Sequence, residues 1–116
     1  MTIRKLSHGI ENSATAVFIT DLFGTIEYVN VKFTNVTGFS SEETLGQYPR
    51  ILKTELTPQE VFSDLWSTIL KGNVWRGELR NRRKNGEIHW SVTSISPLRN
   101  ERGDVTHFYC QCRGYR

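Results

Sequence analysis

The sequence predicts an α+β domain: a five-stranded antiparallel sheet with short helices and one longer helix laid on one face. Three observations predict it. Alternating, β-rich runs flank a helical middle third. One segment, 57–71, carries a broad apolar face at helical spacing. Turn residues sit where consecutive strands must reverse, above all Asn85-Gly86. A chain of 116 residues is one domain's worth, enough for a single core.

The elements follow in order. Ile3, Leu6 and Ile10 fall on one stripe of a short amphipathic helix, weakened by Gly9, so residues 1–12 read as an N-terminal cap. Ala16 to Thr20 is a β-rich run closed by Asp21 to Gly24, and Thr25 to Asn30 alternates like a strand; together they read as a hairpin. Phe33 and Val36 fit a short helix stopped by Gly38. Ser40-Ser-Glu-Glu43 has capping-box spacing, and Thr57-Pro58-Gln59-Glu60 repeats it with proline at the first helical position. Val61, Phe62, Leu65, Trp66, Ile69 and Leu70 then form the apolar face of the longer helix, which Gly72 ends. Val74 to Arg83 and Glu87 to Ile95 flank a turn whose Asn-Gly suits a type I′ geometry. Pro97 is expected to end the second of these strands, and Asn100 to Gly103 turns the chain into Val105 to Cys112. The domain proper is read as 13–113, with 114–116 the start of an exit linker from an excised module.

Composition excludes more than it names. Apolar residues make up 37% and charged residues 23%, which is neither a disordered chain nor a membrane span. No apolar run approaches the roughly 20 residues that cross a bilayer, and the first residues lack a secretory signal's apolar stretch. A cytoplasmic domain without membrane contact of its own is expected. Fifteen Lys and Arg against 12 acids, net +3, is no nucleic-acid signature. The basic run Arg76, Arg80, Arg82, Arg83 and Lys84 reads as a solvated hairpin face. Cys110 and Cys112 are too close for an ordinary disulfide and lack further metal ligands at zinc spacing, so they read as structural. No serine-histidine-aspartate set, phosphate loop or metal cluster has the required spacing, and an enzyme is not expected.

With these words inside that element order, the chain resembles a PAS sensor domain over roughly residues 8 to 113. The phrases are Ile19-Thr-Asp21, Tyr28-Val-Asn30, Phe33-Thr-Asn-Val-Thr-Gly38-Phe-Ser40, Pro49-Arg-Ile-Leu-Lys53, Trp75-Arg-Gly-Glu78, Asn81-Arg-Arg-Lys-Asn-Gly86 and Ile95-Ser-Pro97. The resemblance implies a pocket between the sheet and the helices, an ion pair between Glu43 and Lys84, and a signal passed to a covalently linked output domain such as a histidine kinase or diguanylate cyclase. Where such domains commonly finish Asp-Ile-Thr, this chain has Gly114-Tyr115-Arg116, a departure at the usual coupling contact.

The family's cofactors can be taken in turn. Haem-binding members ligate iron by a histidine on the long helix; 57–71 holds none, because His8, His89 and His107 lie elsewhere. Light-sensing members attach flavin through a cysteine in Gly-x-Asn-Cys-Arg-Phe-Leu; here Gly46-Gln-Tyr-Pro-Arg-Ile-Leu52 puts Pro49 at that position, which excludes the thiol adduct. Those members read the flavin's polar edge at positions matching Asn81, Ser91 and Cys112, of which one is kept. The chain also resembles the FAD-binding, redox-sensing PAS domains of bacterial nitrogen-fixation regulators, in Leu56-Thr-Pro58, Leu65-Trp66, Trp75 and Asn81-Arg-Arg-Lys84, and these hold FAD without a covalent bond. The cofactor stays unknown at this point, with FAD the possible one and haem not expected. Strand parity puts His89, Ser91 and Thr93 on one face and Ile88, Trp90 and Val92 on the other. The resemblance to the light-sensing members implies that Asn81, Ser91 and Cys112 face the helices, where buried polar groups need partners; a one-residue slip would put Trp90 in the core instead.

The candidate cofactor-binding residues are thus Trp75, Asn81, His89, Ser91, Cys112, Asn30, Phe33 and Trp66, with Trp75 the preferred stacking group; no catalytic or metal residues are proposed. A homodimer is expected through Ile3, Leu6, Ile10 and Trp90, which would cover the apolar outer face of the sheet. The alternative is a pocket-less dimerisation module with no cofactor.

Overall fold

The computed structural model describes residues 14–54 and 56–114. The N-terminal stripe Ile3, Leu6 and Ile10 and the tail residues Tyr115 and Arg116 lie outside them. The elements are β1 (Ala16–Thr20), β2 (Ile26–Val29), α1 (Val31–Thr37), α2 (Ser41–Thr44), a 3₁₀ turn (Pro49–Leu52), α3 (Gln59–Leu70), β3 (Trp75–Arg82), β4 (Ile88–Arg99) and β5 (Val105–Gly114). They form one five-stranded antiparallel sheet in the order β2-β1-β5-β4-β3. Over the described residues, the five-stranded antiparallel sheet with short helices and one longer helix is the architecture the sequence predicts.

One piece of turn chemistry builds all three hairpins. At β1–β2, Asp21 Oδ1 accepts from the amides of Phe23 and Thr25, and Gly24 closes the loop at φ 93°. At β4–β5, Asn100 Oδ1 accepts from Arg102 and Asp104, and Gly103 takes φ 87°. At β3–β4, Asn85 Oδ1 accepts from Glu87, and Gly86 takes φ 91°. In this last hairpin the Arg83 amide bonds the Glu87 carbonyl and the Gly86 amide bonds the Arg83 carbonyl. That is a three-residue loop with a left-handed glycine, not the two-residue type I′ turn expected from Asn-Gly.

The helices are placed by their caps. Asn30 caps α1: its side chain accepts from the Phe33 amide, and the helix ends on Gly38 at φ 83°. The expected capping box of α2 is present, Ser40 Oγ accepting from Glu43 N while Glu43 Oε1 accepts from Ser40 N. The one expected for α3 is not. Pro58 is the N-cap rather than the first helical residue, and no side chain caps the helix. Thr57 turns to the sheet instead, its Oγ1 accepting from the Arg80 amide at 3.0 Å. A sheet amide that needed a partner outbid the local cap.

Two further expectations change. Of the apolar face of α3, Leu65 and Ile69 are buried and Val61 and Phe62 partly so, while Trp66 and Leu70 stand exposed. β4 does not stop at Pro97; it continues to Arg99 paired with β5. Pro97 lies beyond the last β3–β4 pair, Trp75 opposite Ile95, so its missing N–H removes no rung from that ladder.

The core lies between the inner sheet face and the helices. It joins Phe18, Ile26, Phe33, Leu52, Leu65, Ile69, Trp75, Leu79, Ile95 and Phe108. Phe18 and Phe33 meet edge to face at 5.7 Å, an arrangement worth about 0.5–1.5 kcal/mol beyond their burial. Between α1 and the β3–β4 hairpin, the Lys84 amide bonds the Thr37 carbonyl and the Arg83 guanidinium donates to the Val36 carbonyl, while Lys84 pairs with Glu43 of α2. The Glu43–Lys84 pair is the one the resemblance implied, and it holds the Glu43 carboxyl below its ordinary pKa, chiefly through the Lys84 hydrogen bond.

Candidate functional site: a cavity between sheet and helices

Rows of paired residues cross the inner sheet face. Phe18, Cys110, Ile95 and Trp75 form one; Ala16, Cys112, Thr93 and Gly77 form the next. α3 and the 3₁₀ turn bridge over this face without filling the space beneath, and a cavity of about 390 Å³ remains. That volume falls within the ~300–1,000 Å³ range of small-molecule sites. Its floor is Phe18, Thr20, Leu79, Asn81, Thr93, Ile95, Phe108, Cys110 and Cys112, and its roof is Leu52, Phe62, Leu65 and Ile69. The site is therefore mostly apolar with a small polar end, the composition that seats a flat apolar ligand and orients it by few hydrogen bonds.

The polar end is built by β3, β4 and β5. Ser91 Oγ and Thr93 Oγ1 are 3.1 Å apart and both buried. The Cys112 thiol hydrogen-bonds both hydroxyls; burial pushes its pKa up and those two bonds draw it partly back. Asn81, on the adjacent strand, borders the same end, and Lys53 bridges to its backbone from the roof. Burial lifts the Cys110 thiol well above the ordinary range, with Cys112 adding to the rise. Both cysteines are free, so the cavity is lined by neutral thiols, not by thiolates.

At the mouth stand Tyr48, Pro49, Arg50, Lys53 and Trp66. Lys53 Nζ lies 4.6 Å from the Phe62 ring centre, and the Arg50 guanidinium 5.4 Å from that of Tyr48. Gly24 sits between the two aromatic lips. A Cβ there would meet Trp66 Cη2 at 3.4 Å and Tyr48 Cδ1 at 3.8 Å.

The sequence-predicted site residues divide. Asn81, Cys112 and Trp66 line the cavity. Ser91 stands behind it, holding Thr93. His89 is buried on the same sheet face beyond the lining, its Nδ1 without a hydrogen-bond partner among the described residues. Burial, then the Arg83 charge, lowers its pKa. Three candidates are structural instead. Asn30 caps α1 and ties β1 through Val17 N and Thr15 O. Phe33 packs on Phe18. Trp75, the preferred stacking group, lies over Gly77, and its Nε1 donates to Asp64 Oδ2 at 2.9 Å. Trp90 points to the outer face with the Arg80 guanidinium 4.3 Å over its ring, so the strand register that the resemblance implies is the observed one.

Sequence reasoning missed Thr93, Lys53, Arg50, Tyr48 and Gln59 as lining. Parity with Ser91 marked Thr93; the others come from a loop and a helix start with no local signature of a pocket.

An antiparallel sheet roofed by short helices, with a ligand-sized cavity between, defines a sensor-type domain. The match of residues 4–114 to the PAS fold family makes the assignment: the chain belongs to the PAS family. It is 34% identical over 104 residues to the nitrogen fixation regulatory protein of Klebsiella oxytoca, covering 90% of this chain and 21% of that protein. It is 33% identical over 92 residues to the aerotaxis receptor of Escherichia coli (strain K12), covering 79% of this chain and 18% of the receptor. The chain thus spans about a fifth of the length of these relatives. Among solved structures, an RNA-binding light-oxygen-voltage receptor superposes with TM-score 0.86 at 27% identity, over 97% of this chain and 33% of that one. The PAS domain of a Colwellia psychrerythraea protein superposes at 0.85 with 23% identity, covering 97% and 96%, a likeness of fold. The relatives are signalling proteins, regulators and receptors, and none of the described helices is long and apolar enough to cross a membrane.

Proposed function

We propose that this chain is a cytoplasmic, non-catalytic sensory input domain that holds a flavin without a covalent bond and passes the occupancy or redox state of its pocket to an output domain. The cavity carries the reading. A pocket-less module would have packed its core, whereas here about 390 Å³ stays open beneath α3, mostly apolar, with Thr20, Gln59, Asn81, Thr93 and Cys112 as polar lining and Arg50 and Lys53 as the charged groups. That lining fits a flat, largely apolar ring with polar groups on one edge. Asn81 can both donate and accept, the Thr93 hydroxyl likewise, and Cys112 offers a weak donor. A bound flavin supplies redox chemistry; these residues would orient its ring and exclude water. Pro49 at the mouth keeps the covalent photochemistry off this site. The resemblance to FAD-binding regulators supports the same ligand.

Dimerisation belongs to the reading. Ile88 and Val92 are exposed beside Trp90 on the outer sheet face, and a second subunit packed there would couple pocket and output as a two-state shift. The test is a flavin titration of apo-protein against the variant Thr93→Phe, which fills the floor. Saturable uptake lost in the folded variant is expected. Equal uptake by both proteins would put the ligand elsewhere.

A further inference from the structure

Independently of the flavin reading, we infer that Cys110 and Cys112 hold one soft, monovalent metal ion, Cu(I), between their sulfurs on the floor of the cavity. Both side chains leave β5 on the same face, both line the cavity and both are free. Cys110 is 3% exposed, and its thiol has no hydrogen-bond partner among the described residues. Cys112 is half-buried and gives the pair its opening to the cavity.

Spacing favours an ion over a disulfide. An antiparallel strand rises about 3.4 Å per residue, so the two cysteines are rooted about 7 Å apart. A disulfide needs Cβ atoms about 3.5–4.5 Å apart, which this strand does not offer. Two sulfurs in line across one metal, at about 2.3 Å per bond, stand about 4.6 Å apart, and the thiols reach that by leaning together about χ1. Coordination number then selects the metal. Among the described residues no group of three His, Cys, Asp or Glu could hold an ion, which denies zinc its four ligands. Two thiolates satisfy Cu(I), the ion that soft sulfur ligands select. Binding exchanges two S–H bonds for two S–metal bonds; both protons leave to solvent and no electron moves. Cys112 is prepared for the loss. The Ser91 and Thr93 hydroxyls, 3.1 Å apart, hydrogen-bond its sulfur and would donate to the thiolate. The filled site carries one negative charge, and Arg50 and Lys53 are the cations on the same lining.

The experiment titrates the full chain, before any flavin is added, with Cu(I) under argon against a colorimetric Cu(I) chelator, and with Zn(II) in parallel. One Cu(I) per chain is expected, with a near-ultraviolet thiolate–copper band and release of about two protons per ion in weak buffer. Cys110→Ser and Cys112→Ser should each weaken binding by at least about a hundredfold, and Ser91→Ala with Thr93→Val by about tenfold. A native chain that takes no Cu(I) from the chelator overturns the inference. So does binding without the thiolate band and the proton release, which would put the ion on other ligands, and so does equal affinity for Zn(II). Undiminished binding by either cysteine variant overturns it too. The native-chain readouts decide the question even where a variant fails to fold, and their failure leaves the flavin reading standing.

Discussion

Replacing Asn30 by alanine separates architecture from ligand binding. Asn30 is 1% exposed, and its side chain ties three backbone groups: Oδ1 accepts from Val17 N at 3.0 Å and Phe33 N at 2.9 Å, and Nδ2 donates to Thr15 O at 2.9 Å. Alanine removes the cap of α1, about 1 kcal/mol. It also leaves the Val17 amide without its side-chain acceptor beside the sheet, which costs about 1–3 kcal/mol more. The expected loss is about 2–4 kcal/mol, read as a shifted midpoint in urea denaturation with an unchanged slope. Asn30→Asp keeps Oδ1 for both amides and should recover part of the loss. Flavin affinity per folded molecule should not change in either variant, because Asn30 borders no part of the cavity. A loss under about 1 kcal/mol, or a selective loss of flavin, would refute the structural role assigned here.

Three other perturbations test separate parts of the account. Gly77→Ala puts a methyl 2.6 Å from the Trp75 ring and must displace it from Asp64; a destabilisation of about 1–3 kcal/mol is expected, and native stability would show the ring free to move. His89 is held neutral by burial and by Arg83, with Glu87 opposing, so its folded pKa lies below its unfolded one. The unfolded chain then binds the proton first, and stability falls as pH drops below about 6.5. His89→Gln should flatten that fall between about pH 7 and 5, whereas parallel curves would contradict it. Cys110 and Cys112, thiols raised by burial, should react with a thiol reagent far more slowly in the native protein than after unfolding; matching rates would reveal an accessible thiolate.

What the sequence made legible was local. Gly86 next to Asn85, and Gly24 and Gly103 three positions after Asp21 and Asn100, marked all three hairpins, and Ser40–Glu43 marked the cap of α2. The same spacing at Thr57–Glu60 misled, because Arg80, 23 positions away, claimed the hydroxyl. Helical periodicity registered Trp66 and Leu70 as apolar without registering that α3 overhangs a cavity rather than a filled core. Strand parity grouped His89, Ser91 and Thr93 on one face because an alternating pattern records facing directly, whereas the choice of the inner face, and the place of Cys112 on it, came from the resemblance to the family. Asn30 and Phe33 sat in phrases shared with the family, but such phrases mark fold and site alike. An asparagine directly before a helical pattern was the available signal that Asn30 is a cap. Tyr48, Arg50 and Lys53 reach the site through tertiary convergence, which no local pattern encodes.

The most direct measurement is an absorption spectrum of the freshly purified, unreconstituted protein, with a denatured aliquot run on chromatography to identify what is released. The account predicts the bands of oxidised flavin and the release of FAD. A blank visible spectrum that stays blank after incubation with FAD would contradict it, leaving the cavity to a colourless ligand.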